Sequence, residues 1–305
     1  MSIATGEGAF PPTMGAAVAG TSNLSRRHAR NRIATALFLL STLTAVLFLV
    51  VLLATIILDG GAWLSWGLLT DLPSRFPDRA GLSPALWGSL WLISLTAIFA
   101  FIVGLGAAIY LEEYAPRNRW TRLLETNISN LAGVPSVVYG LLGLALFVEV
   151  ANFGRSILSG ALTLGLLILP VIIIAGRESL RAVPLSLRQG AYALGATPWQ
   201  VTRHHVLPAA MPGILTGAIL AISRAIGETA PILVAGAAGQ VLFRPDSPLS
   251  QYTALPIQIY QWTARPQAEF RELAAAAIIV LLVVLLAMNG LAIYLRQRFS
   301  RALRW

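Results

Sequence analysis

The sequence predicts an all-α integral membrane protein that crosses the bilayer with six transmembrane helices. Hydrophobic residues make up 56% of the 305 residues and charged residues only 11%, whereas soluble domains carry about 25% charged residues. The mean hydropathy is +0.73. The apolar residues form unbroken runs of about 20 residues, the length a helix needs to cross a bilayer, rather than the alternating ten-residue segments of a membrane barrel.

Six runs are long and apolar enough to be spans, and only the fifth contains formal charges, at Arg224 and Glu228. The first run is too long for a signal peptide, whose apolar core has about 7–15 residues, and is expected to remain as an anchor. Around the spans we expect a disordered cytoplasmic segment, an outer loop and a basic cytoplasmic tail. The predicted spans are residues 33–58, 86–111, 126–148, 156–176, 211–238 and 273–295, and the three other segments are residues 1–32, 59–85 and 296–305.

The arginine residues predict the orientation of the spans. When both termini are placed on one side, fifteen of the 22 arginines lie on that side, six lie on the other, and Arg224 lies within a span. Because cytoplasmic loops carry an excess of basic residues, both termini are expected in the cytoplasm. The arginines flank the spans, so the net charge of +9 requires no nucleic acid partner.

Two residue types are missing, and their absence excludes several functions. The chain has no cysteine, which excludes disulfide frameworks and thiol nucleophiles, and all 22 basic residues are arginine, so there is no lysine for a Walker A loop. If the protein works with ATP, another chain must bind the nucleotide. His204 and His205 are adjacent and would point about 100° apart on a helix, so we predict neither a metal site nor a catalytic residue here.

The connection between the fourth and fifth predicted spans contains signals for a short helical hairpin. Pro184 can start a helix that Gly195 ends, and Thr197 can cap a second helix with Pro198 at its first position. A rigid pair of short helices on the cytoplasmic side would suit the docking of a partner. By shape alone, an ordinary loop is an equally good interpretation.

Arg224 and Glu228 are four residues apart and share one face of a helix, which we expect to point into the helical bundle. A charged side chain at the centre of a span costs at least about 2.5 kcal/mol, which favours a functional role. The guanidinium could bind an oxyanion, the carboxylate could accept a hydrogen bond from a protonated one such as hydrogen phosphate, and Thr229 adds a hydroxyl. The alternative is a pair that only neutralises itself and packs helices.

The chain resembles the permeases of bacterial ABC importers, and in particular the PstA family of phosphate permeases. The hairpin is similar to their EAA loop, with the spacing kept from Gly195 to the Leu207-Pro208 pair, although Gln189 and Gly190 replace Glu and Ala and His205 replaces Ile. Further segments resemble the PstA family as a set. They are Arg224-Ala-Ile-Gly-Glu-Thr-Ala-Pro231, Asn130-Leu-Ala-Gly-Val-Pro-Ser-Val-Val-Tyr-Gly140, Leu207-Pro-Ala-Ala-Met-Pro-Gly-Ile-Leu-Thr-Gly217 and Ala254-Leu-Pro-Ile-Gln-Ile-Tyr260.

The resemblance implies a type I ABC importer permease fold over residues 86–295, with a cytoplasmic coupling helix, in the bacterial cytoplasmic membrane. It implies a PstC-like sister permease, a PstB-like ATPase dimer that binds ATP and magnesium, and a PstS-like phosphate-binding protein received by the outer loops 59–85 and 239–271. No cofactor is expected in this chain. The implied phosphate pathway contains Arg224, Glu228 and Thr229, Arg177 stands at the inner mouth, and the ATPase contacts Gln189, Gly190, Ala191, Gly195, Ala196, Leu207 and Pro208.

Other functions remain open at this stage. A permease for another oxyanion, such as molybdate or sulfate, or the sister phosphate permease would share most of these features. A membrane enzyme that used Glu228 as a base would need a second polar group at the same depth, and the other five predicted spans offer no ionisable one. A stand-alone channel would have no use for a docking hairpin.

Overall fold

The computed structural model describes residues 21–237 and 241–301, and within these residues the chain is helical without strands. Three π-helical turns continue α-helices, at Tyr110–Tyr114, Leu144–Val150 and Thr202–Val206. The α-helices are α1 (Thr21–Gly60), α2 (Trp66–Thr70), α3 (Ser83–Ile109), α4 (Arg119–Leu131), α5 (Ser136–Gly143), α6 (Ile157–Arg181), α7 (Leu185–Ala193), α8 (Pro198–Val201), α9 (Leu207–Gly227), α10 (Ala230–Ala235), α11 (Leu255–Thr263) and α12 (Ala268–Arg301).

Helix α1 begins earlier than predicted. The prediction of disorder is wrong for residues 21–32, because the chain is helical from Thr21, and residues 1–20 lie outside the described part. No Gly or Pro interrupts the sequence between Thr21 and Asp59, and Arg and Ala favour helix, so the helix extends past the apolar run. The predicted tail is likewise helical as far as Arg301, and residues 302–305 are outside the description.

In the described residues, five helices are long and apolar enough to cross a membrane, and a bent pair makes a sixth span. The bent pair is α4 with α5 and its π turn, whose axes differ by 106°. The prediction of one continuous span over residues 126–148 is therefore wrong. Pro135 lacks an amide donor and disfavours helical backbone at Val134, which explains why the helix stops after Leu131.

The fifth predicted span is also interrupted. Helix α9 ends at Gly227, Glu228 has extended backbone (φ −77°, ψ 112°), and α10 begins at Ala230. Pro231 explains the break, because its ring would clash with the carbonyl of Gly227 in a continuous helix. The predicted end of this span, at residue 238, lies outside the described residues.

Residues 56–237 and 241–301 form one compact unit around α6, which packs against α3, α5, α9 and α10. Small residues let the helices approach closely, as is common between membrane helices. A Cβ atom added at Gly217 on α9 would lie 2.3 Å from the Cβ of Ala175 on α6, and one added at Gly104 on α3 would lie 2.7 Å from Ile172.

The connections of this unit gather at two ends, as the predicted topology requires. At one end the predicted outer loop, which contains α2, meets the segment before α11, where the Arg244 guanidinium donates to the carbonyl of Thr70 at 2.7 Å. The start of α6 joins them through the amide of Ile157 and the carbonyl of Ser250 at 3.1 Å. At the other end lie the π turn after α3, the end of α6 and α7.

Candidate functional site

The connection between α6 and α9 forms the predicted helical hairpin. Helix α7 starts after Pro184, and Gly195 adopts φ +83°, a conformation that favours glycine. Thr197 caps α8 in a capping box: its hydroxyl accepts from the amide of Gln200 at 3.4 Å, and the Gln200 side chain accepts from the amide of Thr197 at 2.8 Å. The predicted local structure is confirmed, including Pro198 at the first position of α8.

The predicted docking residues divide into two groups. Gln189, Gly190 and Gly195 are exposed and could contact a partner. Ala191, in contrast, is buried, and Ala196, Leu207 and Pro208 are half-buried; Ala191, Ala196 and Leu207 pack in the core at the base of the hairpin. These four residues therefore hold the hairpin to the membrane helices.

The exposed surface of the hairpin includes several large apolar side chains, which the sequence did not predict. Leu194 is 91% exposed, and Leu185, Trp199 and Tyr192 are also exposed. Large apolar side chains on the surface of a short hairpin are typical of a protein–protein contact. Helical periodicity was no guide here, because α7 and α8 are too short for an apolar face to be recognised.

An ion network anchors the hairpin to α3. The Arg188 guanidinium on α7 donates to the Glu113 carboxylate at 2.7 Å and to the carbonyl of Leu180 at 2.8 Å. The neighbouring Glu112 accepts from Arg181 at 3.0 Å. Two adjacent acids on one π turn thus join the end of α3 to both α6 and α7.

Arg177, predicted at the inner mouth, belongs to the same network. Its guanidinium lies 2.7 Å from the Glu125 carboxylate of α4 and 3.4 Å from that of Glu112, and its side chain is 13% exposed. The sequence contains one signal for the importance of Glu112 and Glu113. They are two adjacent acids directly after an apolar run, in a chain with only 13 acidic residues. Their partners lie 65 to 75 residues away in sequence, which no local pattern reveals.

Arg224 and Glu228 form the expected pair at the break between α9 and α10, with 3.1 Å between Arg224 Nε and Glu228 Oε1. The prediction that both point into the bundle is wrong for Arg224, whose side chain is 50% exposed, whereas the Glu228 side chain is only 19% exposed. Ala221 and Ala225 occupy the buried face of α9, and Arg224 lies off that face. Thr229 is half-buried beside the pair.

Residues 100–301 match the family described as binding-protein-dependent transport system inner membrane components. Because the match covers more than half of the chain, the chain belongs to this family of membrane transport permeases and is a multi-pass inner-membrane protein. Such components are permeases rather than enzymes.

Curated relatives place the chain in the PstA branch of that family. It is 37% identical to the phosphate transport system permease protein PstA 1 of Mycobacterium tuberculosis (strain ATCC 25618 / H37Rv). The aligned region has 266 residues and covers 85% of this chain and 85% of the relative. It is 34% identical to PstA of Yersinia pestis over 87% of this chain and 90% of the relative. The probable ABC transporter permease YqgI of Bacillus subtilis is 32% identical over 82% of this chain and 88% of the relative.

Solved ABC transporters confirm the importer permease fold. A chain of the bacterial alginate ABC transporter, in complex with its alginate-bound periplasmic protein, aligns with TM-score 0.66 at 16% identity, covering 90% of this chain and 97% of that one. A chain of the inward-facing MetNI methionine ABC transporter aligns with TM-score 0.58 at 20% identity, covering 73% and 96%. At these identities the similarity concerns the fold alone.

Proposed function

We propose that this chain is the permease subunit of an ATP-driven importer that carries inorganic phosphate across the cytoplasmic membrane. The observation that carries the proposal is 37% identity over 85% of the chain to a phosphate transport system permease. The relatives named PstA favour this subunit over the PstC-like sister, which becomes its partner in a two-permease pore. A PstS-like protein would deliver phosphate to the end formed by the outer loops.

The hairpin is the docking element for a PstB-like ATPase dimer, which would bind ATP and magnesium. Support comes from the exposed Leu194 and Trp199 beside Gln189, Gly190 and Gly195. The chain has no lysine and hence no Walker A loop of its own. With both termini in the cytoplasm, as the arginine distribution predicts, the hairpin faces the compartment that supplies ATP.

The charged pair at the helix break forms the chain's share of the phosphate pathway. Half of the Arg224 side chain is accessible, so a sister permease can complete the pore around it. Within the described residues, the Arg224 guanidinium makes one hydrogen bond, from Nε to the Glu228 carboxylate. Both terminal NH2 groups are therefore free to donate to two oxygens of a phosphate. The hydroxyl of Thr229 lies at the same level of the break.

Glu228 gives the site a preference among oxyanions. A carboxylate repels a fully deprotonated anion, but it can accept a hydrogen bond from the P–OH group of hydrogen phosphate. Sulfate and molybdate carry no such proton at neutral pH, so one of their oxygens would face the carboxylate without a donor. An unpaired contact of this kind costs about 1–3 kcal/mol, more for charged groups, which favours phosphate.

The movement that opens and closes the pore would begin at the hairpin. ATP-driven closure of the ATPase dimer would tilt α7 and α8 as one body. The contacts of Arg188 with Glu113 and of Arg181 with Glu112 would pass this tilt to α3 and α6, and α6 packs against the helix that carries Arg224.

The test is reconstitution of the complete importer in proteoliposomes with purified binding protein. We expect ATP-dependent uptake of radiolabelled phosphate and phosphate-stimulated ATPase activity, with little uptake of sulfate or molybdate. Preferential uptake of sulfate or molybdate would overturn the choice of substrate. Uptake by this chain alone, without ATPase or ATP, would overturn the role as a subunit and favour a channel.

A further inference from the structure

A cavity of about 310 Å³ lies beside the ion network, at the end of the molecule that carries the hairpin. It is lined by the π turn after α3, the start of α4 and the end of α6. We propose that this cavity is a second, separate oxyanion site that binds a phosphate group, either free phosphate or the phosphate of an anionic lipid. The residues that line it are Leu111, Glu112, Ala115, Arg117, Asn118, Thr121, Arg122, Glu125, Arg177 and Arg181.

The charges of the lining residues match a dianion. Four arginines face two glutamates in this cavity, which leaves an excess of two positive charges, equal and opposite to those of hydrogen phosphate. Arg177 and Arg181 are engaged with the two carboxylates. Arg117 and Arg122 make no ion pair with any residue that the structure describes, so their guanidinium groups remain available to an anion.

The start of α4 is held in position and contributes its helix dipole. The Asn118 side chain accepts from the amide of Thr121 at 2.9 Å, and the Thr121 hydroxyl donates to the carbonyl of Pro116 at 2.7 Å. The turn that carries Arg117 is therefore fixed before any ligand binds. Helix N-termini favour anions, and α4 has 13 residues, long enough for this effect.

A bound phosphate group would act on the hairpin, because Arg181 both lines the cavity and lies at the end of α6, four residues before α7 begins. The anion would compete with Glu112 for Arg181 and loosen the contact that joins the end of α6, from which the hairpin leaves, to the turn after α3. Free phosphate that accumulates inside the cell could in this way restrain its own import. A lipid phosphate would instead set the activity according to the membrane composition.

The decisive comparison uses the double variant Arg117→Gln/Arg122→Gln and the matched control Arg119→Gln. Arg119 is exposed on the same first turn of α4 but does not line the cavity. All proteins also carry Arg224→Gln, so that the proposed pathway site does not contribute. Binding is measured by calorimetric titration of inorganic phosphate into the importer complex in phosphatidylcholine nanodiscs, without ATP or binding protein.

If free phosphate is the ligand, the control binds it and the double variant binds at least about tenfold more weakly. If a lipid phosphate is the ligand, titrated phosphate gives no signal, but nanodiscs with phosphatidic acid raise the melting temperature of the control and not that of the double variant. Equal behaviour of the two proteins in both arms would overturn the proposal. Because neither readout requires transport, this result is independent of the proposed import function.

Discussion

The guanidinium of Arg188 and the carboxylate of Glu113 lie 2.7 Å apart, and both side chains are largely shielded from solvent, with 16% and 11% exposed. This contact joins helix α7 of the hairpin to the turn that follows α3, across 75 residues of sequence. A shielded ion pair transmits displacement well, because separating it leaves two uncompensated charges.

Replacing this carboxylate should uncouple ATP hydrolysis from transport. In Glu113→Gln we expect the ratio of phosphate taken up to ATP hydrolysed to fall by at least about fivefold, while ATPase activity persists, because the hairpin then moves without α3. Uptake of radiolabelled phosphate and hydrolysis of ATP are measured in the same proteoliposomes. The exchanged pair Glu113→Arg with Arg188→Glu should restore part of the ratio, and an unchanged ratio in Glu113→Gln would contradict the transmission role.

Removing the Arg224 guanidinium, which we propose lines the phosphate pathway, should abolish most transport. Arg224→Gln is expected to lower phosphate uptake by about tenfold or more, because each hydrogen bond to a charged group contributes about 1.5–3 kcal/mol. Arg298→Gln, which removes an exposed arginine near the end of α12, is the matched control and should transport normally. Normal uptake by both variants, with intact assembly, would eliminate Arg224 from the pathway.

Neutralising Glu228 should change selectivity more than rate. In Glu228→Gln the amide can donate a hydrogen bond to an unprotonated oxyanion, so sulfate should compete for uptake better than it does in the unmodified protein. The measurement is inhibition of labelled phosphate uptake by sulfate, with Thr229→Val as a neighbouring change that leaves the carboxylate in place. If sulfate competes equally in all three proteins, Glu228 does not discriminate between oxyanions.

The turn of the hairpin offers a test of its geometry. A Cβ atom at Gly195 would meet no atom within 4 Å, but the residue has φ +83°, so a branched side chain is strained there by about 1–2 kcal/mol. Gly195→Val should reduce copurification of the ATPase subunit, whereas Gly195→Asn should be tolerated, because Asn adopts this conformation more readily. Equal loss in both variants would mean that the partner requires the bare surface of glycine rather than its backbone conformation.

A tight contact between α6 and the segment before α11 should control stability. A Cβ atom at Gly160 would lie 2.0 Å from the hydroxyl oxygen of Tyr252, which is fully buried and unpartnered among the described residues. Gly160→Ala should therefore lower the melting temperature, at a cost of about 1–3 kcal/mol, and Tyr252→Phe should recover part of the loss. Gly106→Ala, where a Cβ meets open space, is the control.

Features encoded by neighbouring residues could be predicted from the sequence, and those created by packing could not. Pro184, Gly195 and Thr197 act within one or two turns of helix, so the hairpin was predicted in detail. The positions beside Pro135 and Pro231 were not predicted to interrupt their helices, because long apolar runs indicated continuous spans. The accessible position of Arg224 depends on which face of α9 packs against the rest of the chain, and the sequence does not reveal that choice.

The interruption between Gly227 and Ala230 has a consequence for the surrounding lipid. The last turn of α9 keeps a bond from the amide of Glu228 to the carbonyl of Ala225 at 3.3 Å, but a helix end leaves further carbonyl oxygens without intrahelical donors. Acyl chains offer no donors, so this stretch of backbone can lie only against protein or in water. The accessible side of the break, where half of the Arg224 side chain is exposed, is therefore a part of the surface that lipid cannot cover.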